Sequence, residues 1–323
     1  MKSKVSLIAL LAALVIVPTA NAATPAVKTG PASYVGPGSA IIAGIVNPEN
    51  AATSWYFQFG TSTSYGLQTA PQTIGAGTKG VNVASPLTGL QAGTKYHYRL
   101  IALNSSGATT GADATFTTAT IPLSLSLTTN SNPTPYGAPV ILTGTLNGTN
   151  NAGRAIELLA NPFPYLPVAP ATLAFQVVGN AELTSSSGAF SFPLATAPTV
   201  TTQYEVVTVG APSVTSAVLT LGVAPAVGVS VHRSRSGKGF NAQFSGTITP
   251  AQDGARVGIE RLTGSGWKSV AGTSAHNAGP SQSRYSVRVH LVAGAYFRVI
   301  VIPLNTGAMS TGYSGSVLVH ALR

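Results

Sequence analysis

The sequence has 323 residues and no cysteine, which excludes disulfide bonds, thiolate nucleophiles and cysteine-ligated metals. Only 7% of its residues are charged, whereas typical soluble proteins have roughly 25%. The 35 glycines and 22 prolines interrupt helices and favour short strands joined by turns, so the composition predicts an all-β protein.

The first 22 residues have the pattern of a secretory signal peptide. Lys2 and Lys4 form a positive start, residues 5–17 are an apolar run, and Ala20 and Ala22 are the small residues of a cleavage site. The apolar run is shorter than the roughly 20 residues of a membrane-spanning helix, although a retained membrane anchor is the alternative. We expect cleavage after Ala22, export from the cytoplasm and no membrane span in the mature chain.

Residues 23–119 contain strand-like runs at short intervals. Trp55, Phe57 and Phe59 recur at every second position, and side chains of alternate strand residues share one face. We expect these three side chains to form part of a buried core.

Tyr96 follows a leucine and a turn glycine and opens a long apolar strand. This is the layout of a tyrosine corner, in which the hydroxyl bonds back to the backbone, here near Leu90. Residues 23–119 as a whole resemble a bacterial fibronectin type III domain, and the motifs that carry the resemblance are 47–48, 55–60, 65–66, 90–96, 104–107 and 111–116. The resemblance implies a seven-stranded sandwich used for spacing or adhesion, and no active site. The integrin-binding Arg-Gly-Asp tripeptide of some members is absent from this sequence.

Residues 120–323 contain an internal repeat with an offset of about 100 residues, which is the size of one sandwich domain. Segments 123–127, 143–146, 153–157, 204–209 and 216–221 align with segments 227–231, 245–248, 254–260, 296–301 and 316–320. Both copies resemble bacterial immunoglobulin-like repeats of secreted surface proteins, most clearly at 256–261, 266–271, 285–289 and 294–299. The first copy departs from the pattern at residues 161–167, which we interpret as an irregular or polyproline loop.

We therefore predict an all-β chain of three tandem immunoglobulin-like (fibronectin type III-like) sandwiches after a signal peptide. The predicted boundaries are 1–22 for the signal peptide, 23–119 for the fibronectin type III-like domain, and 120–222 and 223–323 for the two immunoglobulin-like domains.

The sequence has few residues that could carry out a reaction. It has five histidines and seven carboxylates, and no Gly-x-Ser-x-Gly, His-Glu-x-x-His or calcium-loop motif. Asp253 and Glu260 each have a base nearby, so ion pairing is their plainer interpretation. Residues 234–239 lack the spacing of a phosphate-binding loop and are expected to form a solvated basic turn. We predict a protein that is not an enzyme and has no cofactor or metal.

Charge is distributed unevenly along the chain. Residues 23–222 have five bases and five acids, whereas residues 223–323 have ten bases and two acids, a net charge of +8. Arg233, Arg235 and Lys238 lie within six residues of one another, and we expect them on one turn, where they could bind an anionic polymer together. Trp267 and Tyr56 are candidates for stacking on a sugar, although the simpler interpretation of Trp267 is a hairpin residue that packs over the stem of Arg261.

The leading hypothesis is a non-catalytic secreted or cell-surface protein that acts as an adhesion or spacer array. The alternative is a module that binds a carbohydrate or cell-wall polymer through its cationic third domain, with Arg233, Arg235, Lys238 and Trp267 as contacts. The candidate partners are an anionic cell-wall polymer, a polysaccharide or another surface protein. The bases are spread along strands with few aromatic residues between them, so specific nucleic-acid binding is not expected. Solubility alone is the other explanation of the charge.

Overall fold

The computed structural model describes residues 23–165 and 175–322. The predicted signal peptide lies outside the described residues. The described chain is built from β-strands and has no helix, which confirms the all-β prediction. It therefore also has no helix with the length and hydropathy needed to cross a bilayer. Two compact units make up the chain, Met1–Ile121 and Pro122–Arg323.

The first unit has nine described strands in two antiparallel sheets. They are β1 (Ala26–Thr29), β2 (Ser39–Asn47), β3 (Thr53–Gly60), β4 (Leu67–Gln68), β5 (Gln72–Ile74), β6 (Val81–Thr88), β7 (Lys95–Asn104), β8 (Gly107–Thr110) and β9 (Ala114–Thr117). One sheet has the order β1-β2-β6. In the other, β3 and β7 are central, β4 and β5 pair with β3, and β8 and β9 pair with β7.

The core of the first unit lies between these two sheets. Trp55 and Phe57 are buried, as predicted, and Phe59 is partly buried against the same core. They meet Ile42 of β2 and Tyr98 of β7, so both sheets contribute side chains to one apolar layer. The nine strands from Ala26 to Thr117 thus form a β-sandwich.

The second unit begins with ten described strands around one apolar core. They are β10 (Ser124–Thr129), β11 (Thr134–Pro135), β12 (Ile141–Asn147), β13 (Ala155–Pro162), β14 (Gln176–Val177), β15 (Glu182–Leu183), β16 (Ala189–Pro193), β17 (Thr202–Thr208), β18 (Leu219–Leu221) and β19 (Val223–Ala224). A three-stranded sheet with the order β10-β12-β16 faces a second sheet, in which β13 and β17 are the central strands. Asn161 and Pro162 belong to β13, so the predicted loop at 161–167 starts two residues later than expected.

Ten further strands of the second unit surround a separate apolar core. They are β20 (Ala226–Val227), β21 (Ser230–Ser236), β22 (Gly239–Thr249), β23 (Arg256–Thr263), β24 (Gly266–Ser274), β25 (His276–Asn277), β26 (Ser283–Leu291), β27 (Ala295–Ile302), β28 (Gly312–Tyr313) and β29 (Val317–Val319). We call the sheet of β20, β21, β22, β25 and β26 the β22 sheet, and the sheet of β23, β24, β27, β28 and β29 the β23 sheet.

The two copies of the sequence repeat occupy equivalent strands. The aligned segments 143–146 and 245–248 lie in β12 and β22, which are the central strands of the first sheet in each copy. The aligned segments 204–209 and 296–301 begin in β17 and β27, which are central in the second sheet. We refer to the three apolar cores and their sheets as the first, second and third sandwich.

The second and third sandwiches share a buried junction. All residues from 221 to 225 are buried. The N–H of Gly222 donates a hydrogen bond to Oδ1 of Asn132 at 2.9 Å, on the side of the second sandwich. The N–H of Ser310, on the side of the third sandwich, donates to the carbonyl of Val223 at 2.8 Å. The connecting segment is therefore hydrogen-bonded to both sandwiches.

Candidate binding surfaces

The predicted basic cluster lies at one edge of the β22 sheet. Ser236 pairs with Gly239, so the hairpin turn consists only of Gly237, which has a φ of 56°, and Lys238. Arg233 and Arg235 lie within β21 instead. The expectation that all three bases occupy one turn is therefore wrong, because backbone pairing with β22 continues to the last residue before the glycine.

Arg233 and Arg235 share one side of β21, at the edge between the two sheets. They pair with Ala242 and Phe240, whose side chains point into the core. Nη1 of Arg233 donates a hydrogen bond to the carbonyl of His320 at 2.7 Å. Arg235 and Lys238 line a shallow cleft of about 240 Å³ together with apolar residues such as Val292 and Leu322.

Trp267 lies on the outer face of the β23 sheet, in the other half of the third sandwich. It pairs with Leu262, so it points away from the side of Arg261. The expected packing over Arg261 is wrong, because adjacent residues of a strand face opposite sides. The guanidinium carbon of Arg298 lies 4.5 Å from the centroid of the Trp267 ring and 4.4 Å from that of Tyr313.

The carboxylate of Glu260 binds the guanidinium of Arg298 that lies between the two aromatic rings. Nε of Arg298 donates to Oε2 of Glu260 at 2.7 Å, so the carboxylate neutralises the cation between the two rings. One of the two acids of residues 223–323 is thereby paired on the β23 sheet. Trp267 and the predicted basic residues lie on different sheets, and the fold does not bring them into one site.

A second group of bases, which the sequence reasoning did not select, lies on the outer face of the β22 sheet. Tyr285, Val289 and Leu291 of β26 point into the core, and Val287 is partly buried against it. The alternate residues of β26, from Arg284 to His290, are exposed. We call the exposed surface formed by these residues and their neighbours on β21 and β22 the β26 face; it includes His232, Asn241, Gln243, Arg284, Arg288 and His290. The strict alternation of polar and apolar residues in 284–291, with arginine at two of the polar positions, could have indicated this face.

The first sandwich has one cluster of charged side chains on its outer surface. The carboxylate of Asp113 accepts a hydrogen bond from the hydroxyl of Tyr65 at 2.9 Å and lies 2.9 Å from Nδ1 of His97. The guanidinium carbon of Arg99 lies 4.4 Å from the centroid of the Tyr65 ring. Burial raises the pKa of Asp113, but the hydrogen bonds from His97 and Tyr65 outweigh it and hold the pKa below its ordinary value. This cluster fastens the loop at Tyr65 to β7.

Metal ligands do not gather anywhere in the described residues. Within 23–165 and 175–322, no three or more histidine, aspartate or glutamate side chains lie close enough to hold a metal ion together.

No protein-family model matches this chain, and no curated protein matches it. Solved structures that resemble it include a tetra-tandem repeat from the extending region of a large adhesion protein, with 16% identity over 92% of this chain and 74% of that one and a TM-score of 0.32. Domains A168–A170 of titin match with 13% identity over 92% of this chain and 99% of the titin chain, and the TM-score is 0.39. The FN1–FN3 domains of chicken CNTN1 match with 13% identity over 94% of this chain and 99% of the CNTN1 chain, and the TM-score is 0.26. At such low identity and with TM-scores below 0.5, these matches assign no activity, ligand or partner to this chain.

Proposed function

We propose that this chain is a non-catalytic, exported protein whose consecutive sandwiches act as a stiff spacer. The observation that carries the proposal is the junction of the second and third sandwiches. A spacer transmits distance only if its joints resist bending, and a segment that is buried and bonded on both sides resists bending more than an exposed linker.

Further contacts across this junction support the proposal. The N–H of Thr201 in the second sandwich donates to the carbonyl of Ala308 in the third at 2.7 Å. Asn132 bonds the connecting segment twice, because its Nδ2 also donates to the carbonyl of Thr220 at 2.9 Å. Breaking the Asn132 bonds should therefore loosen the joint without removing apolar core.

Distance measurements between spin labels would test the stiffness of this joint. Because the chain has no native cysteine, the double variant Ser124→Cys/Lys268→Cys places one label on each sandwich. We expect a narrow distribution of distances between the two labels. Asn132→Ala should broaden this distribution. Asn180→Ala, at an exposed position between β14 and β15, is the control and should leave it narrow. A broad distribution without either substitution would contradict the spacer proposal.

Export is part of the same proposal and rests on the pattern of residues 1–22. The test is fractionation of cells that express the full chain, followed by N-terminal sequencing. We expect the mature chain outside the cytoplasm, in the medium or on the cell surface, starting at Ala23. An uncleaved cytoplasmic chain would contradict export but would leave the stiffness of the joint untouched.

A second candidate function is binding of an anionic cell-wall polymer through the third sandwich. The observation that favours it is the net charge of +8 in residues 223–323. Glu260 is bonded to Arg298 and Asp253 to Asn277, so the two acids of this segment have partners within it. Such binding would weaken with added salt, because the Debye length falls to roughly 10 Å at 0.1 M.

A further inference from the structure

The β26 face is a cationic surface whose strands contain no acidic residue. None of β20, β21, β22, β25 and β26 contains aspartate or glutamate. Arg284, Arg288 and His290 alternate with core residues along β26, and all three are exposed. Asp253 lies in the loop between β22 and β23, where its carboxylate accepts hydrogen bonds from Nδ2 of Asn277 and from the hydroxyl of Ser283, whose side chain is buried. The charge of Arg284 and Arg288 is therefore not neutralised by a carboxylate from their own sheet.

Neighbouring amides hold the side chains of this face in place. Oε1 of Gln243 accepts from Nε of Arg288 at 3.2 Å, and its Nε2 donates to Oγ of Ser286 at 2.6 Å. Asn241 lies beside His290, with 3.4 Å between Oδ1 and Nδ1. A guanidinium that is ordered before binding loses less entropy when it pairs with an oxyanion.

The face also lacks aromatic side chains. The residues of β21, β22 and β26 that point outward are serine, threonine, asparagine, glutamine, histidine and arginine. Sugar-binding and single-strand-binding surfaces stack rings or bases on aromatic side chains. A ligand of this face is therefore recognised by its charges rather than by its rings.

The spacing of the bases matches an extended ligand. A strand rises about 3.4 Å per residue, so Arg284 and Arg288 are roughly 14 Å apart along β26. His290 continues the row, and His232 lies across Gln243 from Arg288 in the strand register. A linear polymer that lies along β26 would meet the guanidinium groups of Arg284 and Arg288 in turn.

From these observations we infer that the β26 face binds a linear phosphodiester polymer that has no rings, of the poly(glycerol phosphate) type. Arg284 and Arg288 contact two phosphates of the same polymer chain, and Gln243 positions the guanidinium of Arg288. This inference rests on the second candidate function and names its surface and ligand. It differs from the sequence hypothesis, which assigned the contacts to Arg233, Arg235, Lys238 and Trp267.

Two double variants with equal loss of charge test the inference in the chain from residue 23 to residue 323. Arg284→Gln/Arg288→Gln removes two cations from the face, and Arg233→Gln/Arg235→Gln removes two from the sheet edge. Binding to poly(glycerol phosphate) is measured by calorimetry at salt concentrations from about 50 to 500 mM. Each lost phosphate contact lowers the salt slope of log K by about 1, so the face variant should lose about 2 from the slope. We expect the edge variant to retain most of the slope.

Other ligands distinguish the possible outcomes. We expect weaker binding to polygalacturonate, whose charges lie on rings, and to single-stranded DNA. If both double variants lose affinity equally, net charge alone attracts the polymer and the face is not the site. If polygalacturonate or DNA binds more tightly, the ligand class is wrong. If the unsubstituted chain binds none of the three, the second candidate function fails as well, while the spacer proposal remains. Thermal unfolding of each variant verifies that the fold is retained.

Discussion

The hydroxyl of Tyr96 accepts a hydrogen bond from the backbone N–H of Gln91 at 3.0 Å. Tyr96 is buried, and its ring stacks on that of Phe116 with 5.6 Å between centroids. The bond closes the turn between β6 and β7 and confirms the tyrosine corner that the sequence predicts near Leu90.

Tyr96→Phe should destabilise the first sandwich by about 1 kcal/mol, because the N–H of Gln91 loses its partner while the ring packing stays. The measurement is the free energy of unfolding of residues 23–121, which have their own core. Tyr34→Phe is the matched control, since the Tyr34 side chain is 85% exposed and its change should have little effect. Equal stability of the Tyr96→Phe variant and the unsubstituted fragment would disprove the corner's contribution.

The first sandwich should lose stability in acid through Asp113. The pKa of this carboxyl is lowered in the folded state, so the ionised form stabilises the fold above the ordinary aspartate pKa of about 3.9. That contribution is lost as the pH falls through the lowered pKa. Unfolding of residues 23–121 measured from pH 5 to pH 2 should show this loss, and Asp113→Asn should reduce it.

Glu49 provides the control for this acid dependence. Glu49 and Asp113 are the only acidic residues in 23–121, so few other side chains contribute to the titration. In Glu49→Gln the contribution of Asp113 should remain. If Asp113→Asn has the same acid dependence as the unsubstituted fragment, the bonds from Tyr65 and His97 do not stabilise the fold.

Much of the fold could be predicted from sequence because strand alternation is a local property. The alternation of Trp55, Phe57 and Phe59 was enough to indicate a buried face. The junction at 221–225 could not be predicted, because its burial depends on Asn132, some 90 residues earlier in the chain. Local composition carries no information about such a distant partner.

The candidate surfaces were harder to predict than the fold. Arg233 and Lys238 are close in sequence, which suggested one site, but strand pairing sets which face each side chain occupies. Arg284 and Arg288 are four residues apart and share a face with Gln243, which belongs to another strand. Only the register of β22 and β26 places these three side chains together.

Gly246 should not tolerate a side chain. A Cβ atom there would lie 2.0 Å from the carbonyl oxygen of Gly228 and 2.9 Å from the hydroxyl of Tyr285. That hydroxyl donates to the same carbonyl at 2.7 Å, and Tyr285 is buried in the core, so the contact has little room to move. Gly246→Ala should destabilise the third sandwich by about 2 kcal/mol through overpacking.

A control at another glycine of the same sandwich isolates the effect of this contact. A Cβ atom at Gly264, in the turn between β23 and β24, would meet nothing within 4 Å. Trp267 is the only tryptophan in residues 122–323, so its fluorescence during denaturation of that unit reports on the third sandwich. If Gly246→Ala and Gly264→Ala unfold at the same denaturant concentration, the backbone at Gly228 does not approach β22 as closely as described.

Arg298→Lys should destabilise the third sandwich by about 1 kcal/mol, although the charge is kept. The guanidinium lies over the rings of Trp267 and Tyr313 and bonds Glu260 through Nε, and an ammonium group cannot reproduce both the ring contacts and the directed bond. Denaturation of residues 122–323 followed by Trp267 fluorescence measures the loss, and the emission of the folded state should change because the cation leaves the ring. Arg256→Lys, at an exposed position of β23, is the matched control and should stay within about 0.5 kcal/mol. Equal stability and emission in the two variants would mean that these contacts contribute nothing to the fold.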